Sequence, residues 1–121
     1  SGGFPPKIGA ALDASLGEQI QRAFPGARVV KALNTINYSV MVDPAAIEGP
    51  HAVFICGDDA AAKQDVRAML QRFGWMEEGI IDLGGIEQAR GTELYVALWI
   101  RLMGALQTPT FNIRIVRPAS V

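Results

Sequence analysis

Asn34 and Thr35 are the residues of this sequence best placed to do chemistry. They follow Val29-Val30-Lys31-Ala32-Leu33, a β-branched run that reads as part of a short buried strand, Ala27 to Leu33. Open α/β sheets take their ligands at the carboxyl ends of strands, where short polar side chains leave the ladder. An Asn amide donates and accepts at once, and so suits a carboxamide. The same pair also suits an Asx or Thr turn that only ends the strand. The residues alone leave both readings open.

Two glycine-containing segments resemble phosphate sites. Gly57-Asp58-Asp59-Ala60-Ala61-Ala62-Lys63 has Ala62 before the Lys and Gln64 after it, where a Walker A loop needs Gly and Ser or Thr. Its acidic start would repel phosphate, so it reads as a capped helix start. Gly84-Gly85 precedes a helix and could hold an anion there. Gln88-Ala89 stands where the dinucleotide fingerprint has its third glycine, so a tight strand-to-helix turn is the plainer reading.

The remaining candidates are weaker. One His, His51, and one Cys, Cys56, cannot make a zinc site. Cys56 lies in an apolar run and reads as a small hydrophobe. Glu77-Glu78 reads as a solvated loop face. No Ser-His-Asp set is visible, so no catalytic residue and no metal ligand is assigned. Tyr95 and Trp99 share one helix face, four residues apart, near Arg90, Glu93 and Arg101. Core packing with an Arg-Glu surface pair explains them. A dimer face or a cofactor-pocket wall is the rival.

The elements that must position these residues follow from caps and periodicity. Ser1 to Ala14 reads as irregular. Ser15 and Glu18 form a capping box, and Leu16, Ile20, Ala23 and Phe24 make an apolar stripe that Pro25-Gly26 ends. A turn with one helical turn is expected over Asn34 to Val42, with Tyr38, Met41 and Val42 facing inward. Asp43-Pro44 and Gly49-Pro50 bracket a loop. Ala52 to Cys56 is apolar throughout, as in a parallel strand covered on both faces. Asp58 or Asp59 caps a helix whose inward stripe is Val66, Met69, Leu70 and Phe73, and Gly74 ends it. Gly79 to Leu83 is a third strand. A long helix runs from about Ile86 to Leu106 and Thr108-Pro109 breaks it. Thr110 to Val116 alternates like a half-buried edge strand. The alternation predicts an α/β fold with a mostly parallel sheet, flanking helices, a long C-terminal helix and an edge strand.

Composition bounds the function. The chain has 121 residues, half of them apolar, enough for one domain over 1–121 with a real core. A net charge of −1 with scattered basic residues argues against nucleic acid as a partner. One cysteine and no signal peptide point to a reducing, cytoplasmic setting. Leu94 to Leu106 is too short to span a bilayer, so no membrane partner is expected. Asn37-Tyr38-Ser39 matches a glycosylation sequon and is read as chance. Ser1-Gly2-Gly3 lacks an initiator Met, from which a cut or truncated longer product is expected.

Three ordered segments resemble a known family. They are Val-Val-Lys-Ala-Leu-Asn-Thr at 29–35, Val-Phe-Ile-Cys-Gly-Asp-Asp-Ala-Ala-Ala-Lys at 53–63, and Asp-Leu-Gly-Gly-Ile-Glu-Gln-Ala-Arg-Gly-Thr-Glu at 82–93. They resemble the later part of the coenzyme F-420-dependent NADP oxidoreductases. The first two also resemble the reductase domains of the STEAP metalloreductases. The resemblance runs from Ser15 to about Arg117. It implies an incomplete Rossmann-like fold, the C-terminal portion of an NADP-binding oxidoreductase whose glycine-rich unit would lie before Ser1. It implies hydride transfer between NADPH and a flavin-like or deazaflavin acceptor, with the protein supplying alignment. Asn34 and Thr35 would lie beside the nicotinamide, with Leu33 and Lys31 shaping the same strand end. A homodimer through the last helix and strand is also implied. By itself the chain would then be inactive, because the part that holds the nucleotide is absent. The alternative expectation is a non-catalytic module that self-associates through its open sheet.

Overall fold

A computed structural model describes residues 14–118. The irregular start expected for Ser1 to Ala14 lies almost wholly outside the described residues. The elements are α1 (Leu16–Ala23), β1 (Val30–Ala32), α2 (Tyr38–Met41), β2 (Val53–Gly57), α3 (Ala60–Phe73), β3 (Ile80–Asp82) and α4 (Ala89–Leu106). Short 3-10 turns occupy Pro44–Ala46, Glu77–Gly79 and Ile86–Gln88.

Local chemistry sets most boundaries. The Ser15 hydroxyl accepts from the Glu18 amide while the Glu18 carboxylate accepts from the Ser15 amide, a complete capping box. Asp59, not Asp58, caps α3 by accepting from the Ala62 amide at 2.9 Å. Gly74 closes α3 at φ 110°, a conformation that costs a residue with a Cβ far more. Gln107 at φ 58° ends α4 just before Pro109.

The sheet has the order β1-β2-β3. β2 and β3 are parallel, with Val53 opposite Ile80 and Ile55 opposite Asp82, and α3 is their crossover. β1 is antiparallel to β2, with Val30 opposite Gly57 and Ala32 opposite Ile55. The expected mostly parallel sheet is therefore a mixed one. The link from β1 to β2 is broken at Pro44 and Pro50 and contains only a four-residue helix. It cannot form the crossover helix that a parallel pair needs, so the chain turns back beside β1.

The core gathers Ile36, Val40, Val53, Ile55, Leu70, Trp75 and Ile80. Val66 and Phe73 of the α3 stripe pack against it, as does Met41. Tyr38 and Val42 are exposed, contrary to expectation, because α2 is a single turn and can present only one side to the core.

Two further expectations fail. The α1 stripe faces outward: Leu16, Ile20 and Phe24 are 56%, 40% and 63% exposed, while Gly17 and Glu18 are buried. Gly17 lets the α1 backbone approach Ile86 and Ala89, and a Cβ there would stand 3.1 Å from Ile86 Cδ1. The edge strand over Thr110 to Val116 is not formed. Asn112 fills the Ala52 carbonyl with its side chain at 2.7 Å, leaving one backbone bond, from the Ala52 amide to the Ile113 carbonyl at 3.0 Å. One bond is not a ladder.

Candidate functional site

β1 ends in strain. Leu33 sits at φ 66°, the left-handed region that few non-glycine residues occupy, and its carbonyl accepts from the Ile36 amide at 3.3 Å. The chain leaves the strand abruptly there, which puts Asn34 and Thr35 on a tight turn. The turn reading of the pair is therefore met. The Asn34 amide nitrogen donates to the Thr92 carbonyl on α4 at 2.7 Å. Its Oδ1 has no such tie to α4. Thr35 is buried, at 3% exposure.

Asn34 lines a groove of about 240 Å³ with Ile36, Asn37, Tyr38, Val96, Trp99 and Ile100. The wall is a helix face with an indole, opposite a turn with an amide and an exposed phenol. The lining is mostly apolar, with polar groups from Asn34, Asn37 and Tyr38 at its edge. Of the two aromatic residues singled out on α4, Trp99 lines the slot and also stacks on Phe111, centroids 5.2 Å apart. Tyr95 lies one turn earlier with its hydroxyl buried and unpartnered, and burial raises its pKa. Val96 and Ile100 of the groove were missed in the sequence because an apolar helix face looks the same whether it lines a core or a slot.

Because β1 is antiparallel, its carboxyl end lies beside the amino ends of β2 and β3. The opposite end of the sheet carries the glycine segments, and there every tempting group is occupied. Lys63 reaches Asp82 at 3.0 and 3.1 Å and the Gly84 carbonyl at 3.2 Å. The Asp58 carboxylate accepts from the Ile86 amide at 3.0 Å, so the helix start after Gly84-Gly85 already holds an anion of its own. Burial works against the Asp82 charge, but the Gly84 amide and the Lys63 ammonium outweigh it and hold its pKa low. Cys56 is buried nearby, and loss of hydration pushes its thiol up to about 11, so it is no nucleophile at neutral pH.

A carboxylate network ties α1 and β1 to α4. Arg90 clamps Glu18 with two bonds, at 2.7 and 2.8 Å, and with the Ser15 amide this lowers the Glu18 pKa to about 2. Glu93 accepts from the Leu16 and Gly17 amides at 2.7 and 3.1 Å and pairs with Lys31 at 3.2 Å. In place of the expected Arg-Glu surface pair on α4, Arg90 and Glu93 form separate pairs that fix α1 and β1 to α4. Lys31 shapes the strand end by this ion pair. Among the described residues no cluster of His, Cys, Asp and Glu could hold a metal ion, and no helix is long and apolar enough to cross a membrane.

No protein-family model matches the chain. The chain is 33% identical over 94 residues to metalloreductase STEAP3 of Rattus norvegicus, a match that spans 77% of this chain and 18% of that protein. A crystal structure from Arthrobacter sp. FB24, described provisionally as an F-420-dependent NADP-reductase, superposes with a TM-score of 0.88 at 52% identity. That match covers 97% of this chain and 52% of the other, so the chain spans about half the length of the reductase it resembles. By sequence and by fold together, this chain is similar to about half of the Arthrobacter protein described as an F-420-dependent NADP-reductase, and more distantly to part of metalloreductase STEAP3.

Proposed function

We propose that this chain is the acceptor-side half of an NADP-dependent oxidoreductase that passes hydride between NADPH and a flavin-like acceptor, a deazaflavin in the first instance. The observation that carries the reading is the 52% identity, over 97% of the chain, to the provisional F-420-dependent NADP-reductase. The residues present fit one part of NADPH. Asn34 keeps an acceptor oxygen while its nitrogen is committed to Thr92, which suits a carboxamide N–H. They do not fit the phosphates, because Asp58 and Asp82 already fill both glycine-linked positions. When bound, the nicotinamide supplies the hydride.

This chain's part is alignment. Asn34, held by Thr92, orients the ring, Thr35 and Leu33 shape the corner, and the apolar wall of Val96, Trp99 and Ile100 keeps water out. A chimera joining this chain to the remaining half of the Arthrobacter protein should reduce a deazaflavin with NADPH. The isolated chain should show no saturable rise of nicotinamide fluorescence on titration with NADPH. Tight binding by the isolated chain, or a chimera that binds NADPH yet transfers no hydride, would sink the proposal.

A second reading concerns assembly. Apolar residues of α4 are partly exposed along most of its length, and only Ala89 and Thr92 are buried. We propose that a second copy covers this face in a cytoplasmic homodimer, the location resting on the single free cysteine. Light scattering that gives a monomer mass at tens of micromolar would refute the dimer.

A further inference from the structure

We infer that His51 and Asn112 form an acid-released latch on the segment that follows α4. The segment Phe111–Arg117 has no ladder, and two groups hold it to the start of β2. One is the Ala52 amide bond to the Ile113 carbonyl at 3.0 Å. The other is the Asn112 amide nitrogen, which lies 2.8 Å from His51 Nδ1 and 2.7 Å from the Ala52 carbonyl.

Hydrogen-bond polarity fixes every proton in this cluster. The Pro44 carbonyl only accepts, so His51 Nε2, 2.8 Å away, carries a hydrogen. The Ala52 carbonyl also only accepts, so the Asn112 nitrogen and not its oxygen faces it. That nitrogen then spends its second hydrogen on His51 Nδ1, which must be the bare, accepting nitrogen. Asn112 Oδ1 is left buried without a partner. The latch therefore closes only on a neutral imidazole.

A second proton on His51 has no good outcome. It sets N–H against N–H at Asn112. Turning the amide over instead sets Oδ1 against the Ala52 carbonyl. Either way the side chain loses a bond, and the cheapest relief is for the segment to lift. The charged groups around His51 do not decide the matter. Glu48 on the loop before β2 and Glu78 on the turn before β3 line the same cavity as Arg114 and Arg117 of the segment itself, two charges of each sign. Trp75 meets the ring edge-on at 5.0 Å and carries no charge. The segment forms one wall of that cavity, of about 810 Å³, so its release removes that wall.

The test is pH-dependent amide exchange on the ¹⁵N-labelled chain, corrected for intrinsic rates, with the His51 ring nitrogens followed in parallel. Ala52 protection should fall about tenfold as His51 takes its second proton, while Ile55 in the same strand keeps its protection. In Asn112→Ala the Ala52 amide should be weakly protected at every pH. Should Asn112→Ala fail to fold, His51→Gln serves, and its Ala52 protection should not vary with pH. Three results overturn the latch: Ala52 protection constant within about twofold while His51 titrates, His51 neutral until Ile55 also loses protection, or the same acid loss in the variant.

Discussion

The two ends of the sheet differ in how completely they satisfy themselves. At the carboxyl ends of β2 and β3, where two glycine segments superficially resemble phosphate sites, Lys63 is spent on Asp82 and Gly84, and Asp58 on the Ile86 amide. At the other end Leu33 is held at positive φ, Asn34 lines a groove, and Asn112 Oδ1 is buried without a partner. The polar groups left over on α4, the Tyr95 hydroxyl and the Trp99 Nε1, lie on the helix that walls the same groove. Under the proposed function, the strained corner and the unspent polar groups lie at the end that meets the ligand.

The comparison can be broken most sharply at Asn34. In the chimera with the Arthrobacter half, Asn34→Ala should slow single-turnover hydride transfer by about 10- to 100-fold, because alignment is lost. Its unfolding free energy should fall by only about 1 kcal/mol, one hydrogen bond's worth. An unchanged rate would move the site elsewhere. Glu18→Ala tests the self-satisfied end, since it removes the carboxylate that Arg90 clamps with two bonds. It should cost about 2–3 kcal/mol in urea unfolding, less than a fully buried pair because the Arg90 side chain is 41% exposed.

The pH dependence of stability sharpens the same point. Glu18 titrates near 2 in the folded chain against an ordinary 4.5. Its contribution is complete above the ordinary value and is lost as pH falls from there toward 2. Asp82 acts in the same direction. Unfolding curves between pH 5 and pH 2 should therefore slope less in Glu18→Gln than in the parent; equal slopes would remove Glu18 from the account. The smallest effect belongs to Lys63→Met. It should cost about 1 kcal/mol, and NADPH affinity of the chimera should stay within about twofold, since Lys63 serves Asp82 and not phosphate. A tenfold loss of affinity would reopen the loop as a phosphate site.

Much of this was legible in advance, for a stated reason. The capping box at Ser15, the Gly74 stop and the apolar runs of β2 and α3 act within four residues, so the order of types along the chain is enough to find them. The family resemblance was legible too, because it lies in ordered segments. The outward turn of the α1 stripe was not, since periodicity gives a face but not its direction. Gly17 and Glu18 are buried only because Ile86, Ala89 and Arg90 come to meet them.

By itself the sequence determined the α/β alternation, the helix limits and the corner that holds Asn34 and Thr35. The tertiary structure alone decided the direction of β1, the loss of the last strand and the partner of each charged group. Asn34 meets Thr92 across 58 positions and Glu93 meets Leu16 across 77. Contacts of that range depend on how the chain closes in space, and each donor has several acceptors of equal chemistry to choose from. Local propensity is silent among them; packing chooses.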